Sequence, residues 1–172
     1  MNLGLGDELK LAFPNITPIH RPLVVNQVIK GPNWLVGFVD GEGCFNVNII
    51  NSKKYKIGTQ VKVRFILTQH SRDLYLMKML VEYQICGILN EKKKNPYIYL
   101  TVSKLSEIND KIIPLFNKYP LQSSKKLDFD DFCEVVELMK NKAHLTTEGL
   151  DKIREIQARM NRGRKGRDPA SL

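Results

Sequence analysis

The sequence has few cysteines and no long apolar run. Its three cysteines are an odd number, lie far apart and show neither CxxC spacing nor nearby histidine pairs: Cys44, Cys86 and Cys133. This pattern argues against a disulfide scaffold and against a structural zinc site. The longest strongly apolar stretch, residues 34–39, is much shorter than the roughly 20 residues that a membrane-spanning helix needs. We therefore expect no membrane as a partner.

The start of the chain also lacks the pattern of a targeting peptide. Asp7 and Glu8 come early, and the first arginine is Arg21. A secretory signal or an arginine-rich transit peptide has a different composition. If the protein works in an organelle, we expect that it is made there or carries a targeting signal of another kind.

Composition predicts one soluble domain that binds a polyanion. The chain has 172 residues, of which 42% are hydrophobic and 26% charged, which excludes collagen-like and wholly disordered proteins. Twenty-seven Lys and Arg against eighteen Asp and Glu give a net charge of +9. Such a field suits nucleic acid or an anionic surface.

The chain divides into three segments by composition. Residues 1–32 contain four prolines without a sustained hydrophobic period, which is typical of an N-terminal extension or linker. Residues 33–161 carry helical and strand periods and form the predicted domain. Residues 162–172 read as a loose basic tail.

Within the domain, alternating apolar residues predict two β-hairpins, at about 44–68 and 88–102, and therefore an α+β fold. Helices are expected before, between and after the hairpins. The second helix begins near Ser71 and stops at Gly87, the third is broken near Pro114, and Thr146 caps the last.

Charge is segregated along the domain. Residues 44–72 contain no Asp or Glu but six Lys or Arg, whereas residues 127–139 hold five acids and no base. The hairpin offers Asn, Gln, Lys and Arg on one face, the residue types that pair with bases and phosphates in the major groove. A solvated amphipathic sheet fits the composition equally well, but the segregation favours DNA binding. The acidic helix should face away from DNA.

The segment LVGFVDGEG, residues 35–43, places two acids at the end of an apolar helix. Helix C-termini favour cations, so Asp40 and Glu42 need a group that offsets the repulsion. A hard divalent cation is one candidate. The alternative is that both acids are solvated turn residues.

These nine residues resemble the signature of the LAGLIDADG homing endonucleases, and the flanking Trp34, Cys44 and Phe45 fit it as well. The resemblance covers about residues 33–163. It implies the αββαββα fold, in which a four-stranded antiparallel, saddle-shaped sheet binds DNA. It also implies that the signature helix packs against a second copy, through Trp34, Gly37 and Phe38.

The resemblance also implies an active site. Glu42, with Gly41, would hold Mg²⁺, with Ca²⁺ as a non-productive substitute, whereas Asp40 supports the helix end. Gln69 would organise water. Lys125 and Lys126 lie near the place where family members often carry a catalytic lysine, of which Lys125 is the candidate, although a shifted register places Ser123 there. The residues expected to bind DNA are Asn46, Asn48, Lys53, Lys54, Lys56, Gln60, Lys62, Arg64, Thr68, His70, Lys92, Lys93 and Lys94.

The function implied is site-specific, metal-dependent hydrolysis of double-stranded DNA by an intron-encoded, mitochondrial enzyme. Cutting both strands takes two signatures, and this chain has one. A homodimer would supply the second. Residues 12–23, however, resemble the linker before the second signature of two-motif members, which implies a complementary half instead. Two alternatives stay open: a maturase that binds intron RNA, and a DNA-binding half that does not cleave.

Overall fold

The computed structural model describes residues 6–17, 28–83, 85–91 and 95–164. Its helices are α1 (Asp7–Ala12), α2 (Pro32–Glu42), α3 (Leu74–Glu82), α4 (Leu105–Glu107), α5 (Ile113–Lys118), α6 (Lys125–Lys140) and α7 (Thr147–Arg159). The strands are β1 (Gly43–Asn51), β2 (Thr59–His70), β3 (Ile88–Glu91) and β4 (Tyr97–Val102). A π-helical turn, Ile108–Ile112, joins α4 to α5. Short 3₁₀ turns occupy Ser71–Asp73, Ala143–Leu145 and Asn161–Gly163.

The four strands form one antiparallel sheet in the order β1-β2-β4-β3. Because side chains alternate between the two faces of a strand, one face is apolar and carries Val47, Val63, Leu67 and Leu100 into the core. The helices cover this face. The order α2-β1-β2-α3-β3-β4-α4 confirms the αββαββα fold, with α6 and α7 added after it.

A cluster of phenylalanine rings lies under the start of β1. Phe45, three positions after Glu42, is fully buried. Its ring centroid lies 5.2–5.7 Å from four others, in tilted and edge-on arrangements: Phe65, Phe116, Phe129 and Phe132. Aromatic pairs in this distance range add stability beyond the area they bury. The cluster therefore holds the junction of α2 and β1 firmly against the core.

Helix formation does not stop at Pro114, contrary to the sequence-based expectation. The chain continues through the π turn into α5, and Pro114 occupies the first turn of that helix. Proline lacks an N–H and its ring crowds the carbonyl four residues earlier. A π turn widens the hydrogen-bond ladder just before the proline, so the helical path is retained.

The sequence predicts that α3 ends at Gly87, but the structure shows that it does not. The helix ends at Glu82, and Gly87 follows with φ +131°. A Cβ at this position would lie 2.7 Å from the backbone oxygen of Thr101 on β4. Gly87 is required because the chain passes β4 closely in a conformation that other residues rarely adopt.

The C-terminal part of the domain is tied to α6 by buried ion pairs. Asp128 and Asp131 are 1% and 9% exposed. Arg164 contacts both, with 3.2 Å to Asp128 Oδ1 and 2.6 Å to Asp131 Oδ2. Two of the five acids expected on a solvent face are therefore internal. Arg164, expected in a loose tail, lies in the folded domain, while residues 165–172 lie outside the described residues.

The exposed edge of β1 is covered by side chains from α7 and the turn that follows it. Gln157 Nε2 donates to the carbonyl of Val47 at 2.8 Å, and Asn161 Nδ2 donates to the carbonyl of Phe45 at 3.0 Å. An edge strand otherwise presents unpaired backbone groups. Among the described residues no fifth strand pairs with β1 on this side, so these two side-chain amides provide the hydrogen bonds for its carbonyls.

The structure describes only part of the expected N-terminal extension, residues 1–32. Residues 7–12 form the short helix α1, which has no buried residue. Ile29, by contrast, is 7% exposed and joins the core just before α2. Residues 1–5 and 18–27 lie outside the described residues. No helix within the described ranges is long and apolar enough to cross a membrane.

Candidate active site and nucleic-acid interface

Helix α2 buries one face and leaves the other open. Leu35, Val36 and Val39 point into the core. The opposite face carries Trp34, Gly37, Phe38 and Gly41, at the i, i+3, i+4 and i+7 spacing of one helical face.

This open face is flat and partly apolar. The Trp34 and Phe38 rings stack with centroids 5.3 Å apart and an interplanar angle of 8°. Trp34 is 42% exposed, and a Cβ built on Gly37 or on Gly41 meets nothing within 4 Å. Glycines let another backbone approach closely. The face therefore has the shape that a second helix needs for close packing.

Asp40 fastens the end of α2 to the loop before α6. Its carboxylate accepts hydrogen bonds from Gln122 N at 2.9 Å, from Ser123 N at 3.3 Å and from Ser123 Oγ at 2.7 Å. Carboxylates that accept backbone N–H groups in this way make strong hydrogen bonds. Asp40 is thus engaged by the loop, and the Ser123 hydroxyl is engaged by Asp40.

Lys125 places a cation at the carboxyl end of the same helix. Its Nζ donates to the carbonyl of Val39 at 3.0 Å and to that of Gly41 at 3.3 Å. A positive charge there stabilises the negative end of the helix dipole. The counter-charge that the acidic helix end requires therefore comes, at least in part, from the chain itself.

The environment of Lys125 also changes its acidity. Burial lowers the pKa of its ammonium group below the ordinary value, while the charges of Asp40 and Glu42 act in the opposite direction. Both side chains reach the end of α2: the Ser123 hydroxyl is bound to Asp40, whereas the Lys125 ammonium contacts the carbonyls of Val39 and Gly41. Its proton is easier to release than that of a solvated lysine.

Glu42 is the last residue of α2 and is exposed. Within the described residues its carboxylate accepts no hydrogen bond and forms no ion pair. Beside it, the Gly41 carbonyl keeps a lone pair after accepting from Lys125. Both groups are oxygen donors, the ligands that Mg²⁺ and Ca²⁺ prefer. Throughout the described part of the chain, no three His, Cys, Asp or Glu residues cluster as a metal site.

Gln69 and His70 lie at the end of β2, beyond the register pair Gly43–Leu67. Glu42 lies at the same end of the sheet, because β1 begins directly after Glu42. His70 Nδ1 accepts a hydrogen bond from Arg72 N at 3.2 Å, and its ring packs edge-on against Tyr97 with centroids 6.1 Å apart. His70 thus caps the turn into α3, and its expected phosphate contact stays a prediction.

The outer face of the sheet carries the polar residues predicted to contact DNA. Cross-strand pairs bring Asn46 opposite Arg64 and Asn48 opposite Lys62. Gln60 and Thr68 extend the same face along β2, and Tyr99 extends it onto β4. In the described strands the one acidic residue is Glu91, on β3. The face is therefore cationic and rich in hydrogen-bonding groups.

The turn between β1 and β2 holds the exposed lysines 53, 54 and 56. Ser52 N donates to the carbonyl of Gly58 at 2.8 Å, which closes the turn, and Gly58 has φ +68°. The predicted contacts Lys92, Lys93 and Lys94, in the β3–β4 turn, lie outside the described residues.

One group that shapes the site gave no signal in the sequence. Asn161 donates its backbone N–H to Asp128 Oδ1 at 2.9 Å while its side chain holds the Phe45 carbonyl. It has φ +52°, a conformation that asparagine tolerates better than most residues. It links α6 to β1 immediately after the acidic helix end, across more than a hundred residues of sequence.

Known proteins resemble this chain over most of its length. The sequence profile described as "LAGLIDADG endonuclease" matches residues 35–136. "Probable intron-encoded endonuclease 3" of Neurospora crassa is 37% identical over 154 residues, covering 89% of this chain and 29% of that protein. "DNA endonuclease I-CeuI" of Chlamydomonas moewusii is 27% identical over 142 residues, covering 76% of this chain and 65% of that protein.

Solved structures agree in fold. The homing endonuclease I-SmaMI bound to cleaved DNA superposes with a TM-score of 0.86 at 43% identity, covering 95% of this chain and 55% of that one. The chain thus spans about a third of the two Neurospora crassa relatives that it matches at 36% and 37% identity, and about half of I-SmaMI. With a matching family profile over most of the domain, the chain belongs to the LAGLIDADG endonuclease family.

Proposed function

We propose that this chain is one catalytic half of a site-specific, metal-dependent endonuclease that hydrolyses double-stranded DNA. The observation that carries the proposal is the unengaged Glu42 carboxylate at the end of α2, next to the edge of a cationic sheet that holds a single acid among its described strands. The names of its relatives support it, since they are endonucleases, and one is solved with cleaved DNA.

Glu42 and the Gly41 carbonyl are the groups of this chain that would hold the cation. Their oxygen donors fit Mg²⁺, and a similar chain is solved with uncleaved DNA in the presence of calcium ions. A bound divalent cation would activate water and neutralise charge on the phosphate. We propose Mg²⁺ as the productive ion and Ca²⁺ as a non-productive substitute.

The remaining residues act around that centre. Lys125 supplies positive charge near the reacting phosphate and a proton of lowered pKa. Gln69 orients water at the end of β2. Asp40 holds α2 and the loop before α6 in one arrangement, so that Glu42 and Lys125 stay close together.

A second signature helix completes the enzyme. The open face of Trp34, Gly37, Phe38 and Gly41 would pack against the equivalent face of a second copy or of a complementary half. That packing brings two Glu42-type carboxylates together, one for each DNA strand. The protein would be encoded by an intron and work in mitochondria. Its Neurospora crassa relatives are named as intron-encoded endonucleases, which supports the first part.

A cleavage screen tests the proposed function directly. The purified chain is incubated with a randomised duplex library in Mg²⁺ or in Ca²⁺. With two copies of the chain assembled on the duplex, we expect cleavage at one sequence in Mg²⁺, and binding of that same sequence without cleavage in Ca²⁺. Specific binding without cleavage in Mg²⁺ would indicate that a complementary half completes the site. Cleavage that is independent of sequence, or binding of no duplex in either ion, would contradict the proposal.

Substitutions at Gly37 should separate helix stability from assembly. Gly37→Ala should raise the free energy of unfolding of the isolated chain by about 0.5–1 kcal/mol, because glycine is a poor helix former and the added Cβ meets nothing within 4 Å. Gly37→Leu should prevent association on DNA, because the larger side chain holds the two helices apart. Sedimentation with duplex DNA measures association, and chemical unfolding measures stability.

The matched control is Ala158→Leu, at an exposed position on α7 away from α2. It should leave association unchanged. If Gly37→Leu associates on DNA as well as the parent chain, the open face of α2 is not the interface.

The turn lysines should act as phosphate clamps. Replacing Lys54 with alanine should weaken binding equally on every DNA sequence and reduce the slope of log affinity against log salt by about 1. Fluorescence anisotropy with one preferred and one random duplex, at four salt concentrations, measures both effects. Lys78→Ala, on the exposed side of α3, is the control and should change neither quantity. An effect of Lys54→Ala on one sequence alone would instead identify base readout.

A further inference from the structure

Arg64 and Asn46 form one hydrogen-bonded unit at the centre of the outer face. They lie directly opposite each other on β2 and β1. Arg64 Nη2 donates to Asn46 Oδ1 at 3.1 Å. Arg64 is half-buried, and its Nε is fully buried without a hydrogen-bond partner in the structure. The guanidinium is therefore held in one orientation before any ligand arrives.

Within the described residues this guanidinium forms no ion pair. The described ion pairs of arginines involve Arg72, Arg154, Arg159 and Arg164, but not Arg64. Glu91, the one acid on the described strands, is opposite Ile98, whose side chain points to the apolar face. A half-buried cation with an unsatisfied donor is costly in the free chain. An incoming acceptor would pair with the Nη groups of the guanidinium, not with the buried Nε, and would offset the part of the cost that comes from the uncompensated charge.

We propose that Arg64 reads a guanine in the major groove and that Asn46 is its positioning residue, not a reader of a base. This proposal rests on the proposed DNA endonuclease function. Guanine presents the N7 and O6 acceptors side by side, which matches the two-pronged donor geometry of arginine. With Nη2 partly engaged by Asn46, the guanidinium keeps further N–H donors for both acceptors.

Arg64 competes with an adenine for the side-chain oxygen of Asn46 in this arrangement. Bidentate recognition of adenine needs both the oxygen and the nitrogen of the asparagine amide. One of the two lone pairs of that oxygen, Oδ1, already accepts from Arg64, which turns the amide toward the guanidinium. Holding a partly buried arginine in one rotamer is instead a role that requires only this oxygen, and it reduces the conformational entropy that Arg64 loses on binding.

The position of Arg64 favours a base over a phosphate. It lies midway along β2, where the sheet meets the groove floor in the proposed complex, whereas Lys53, Lys54 and Lys56 occupy the exposed turn. A mobile, exposed lysine suits the phosphate backbone, which needs charge but little geometry. A fixed guanidinium suits a planar base edge.

Binding-specificity profiles test the proposal. The full chain is bound in Ca²⁺ to a randomised duplex library, and the bound fraction is sequenced for the parent, Arg64→Lys and Asn46→Ala. We expect the parent to prefer guanine at one base-pair position, by roughly 5- to 150-fold. Both variants should lose that preference at the same position, and the double variant should resemble Arg64→Lys alone, because the two residues act as one unit.

Two further variants make the result specific. Asn46→Asp keeps the accepting oxygen, so the guanine preference should survive while overall affinity falls because of the added negative charge. Lys78→Ala, at an exposed position on α3 outside the sheet, should leave this position and the overall affinity unchanged. Thermal unfolding of every variant checks that the fold is retained.

The outcomes separate this inference from the proposed function. If Asn46→Ala changes a base-pair position that Arg64→Lys leaves unchanged, Asn46 reads its own base and the inference is wrong. If Arg64→Lys weakens all sequences equally, Arg64 contacts phosphate and the inference is also wrong, although DNA binding stands. If the parent binds no duplex preferentially, the proposed function fails as well.

Discussion

Glu42→Gln should lower the rate of DNA cleavage by about a thousandfold or more while DNA affinity changes little. The amide is nearly the same size as the carboxylate but lacks its negative charge, so it holds a hard cation poorly. Glu42 accepts no hydrogen bond and forms no ion pair within the described residues, so its replacement breaks no such contact and removes only its charge near Lys125. Single-turnover cleavage and anisotropy measure the two quantities.

The prediction has a matched control in Glu82→Gln, an exposed acid at the end of α3. This variant removes the same charge on α3, beside the residues that precede the start of α2 and not at its carboxyl end, and should cleave at the parent rate. Raising the Mg²⁺ concentration should recover part of the Glu42→Gln activity if the lost function is cation binding. If Glu42→Gln cleaves DNA at the parent rate, Glu42 is not the metal ligand.

Arg164→Ala should lower the free energy of unfolding by about 3–5 kcal/mol. It leaves the Asp128 carboxylate, which is 1% exposed, without its guanidinium partner, and it removes one partner of Asp131. Breaking one side of a buried ion pair leaves an uncompensated charge in a medium of low polarity. Urea unfolding of the parent and the variant measures the difference.

Arg154→Ala provides the comparison. Arg154 also pairs with an aspartate, at 2.7 Å to Asp151 Oδ1, but the two side chains are 52% and 57% exposed. An exposed pair of this kind contributes at most about 1 kcal/mol. Equal effects of the two substitutions would show that the pair under α6 is solvated in solution.

Arg164 also shows a limit of local sequence patterns, which wrongly predicted that it lies in a loose tail. The run Arg162-Gly163-Arg164 has the composition of a solvent-exposed basic tail. The acids of α6 likewise have the spacing expected of a solvent-exposed acidic face. Periodicity identifies which side of a helix is apolar, but it does not identify the partner of a charge more than thirty residues away. That pairing depends on how α7 packs across α6.

The candidate site was predictable where the information is local. Residues 35–43 combine an apolar helix with two terminal acids and spaced glycines, and the structure leaves Glu42, Gly37 and Gly41 exposed on α2. Alternation along residues 44–68 likewise assigned Asn46, Lys62 and Arg64 to the polar face of a hairpin. A strand period of two suffices for that assignment.

By itself, then, the sequence determined the elements, the face of each strand and the acidic end of the signature helix, because side-chain periods and turn residues act over a few positions. Tertiary structure alone decided that Lys125 neutralises that helix end, that Asp40 holds the loop before α6, and that Arg64 meets Asn46 rather than a neighbouring residue. The first two contacts join segments that are more than eighty residues apart, and the third depends on the register of the β1–β2 hairpin. Their register and packing arise from burying the phenylalanine cluster around Phe45, a collective effect that no local pattern specifies.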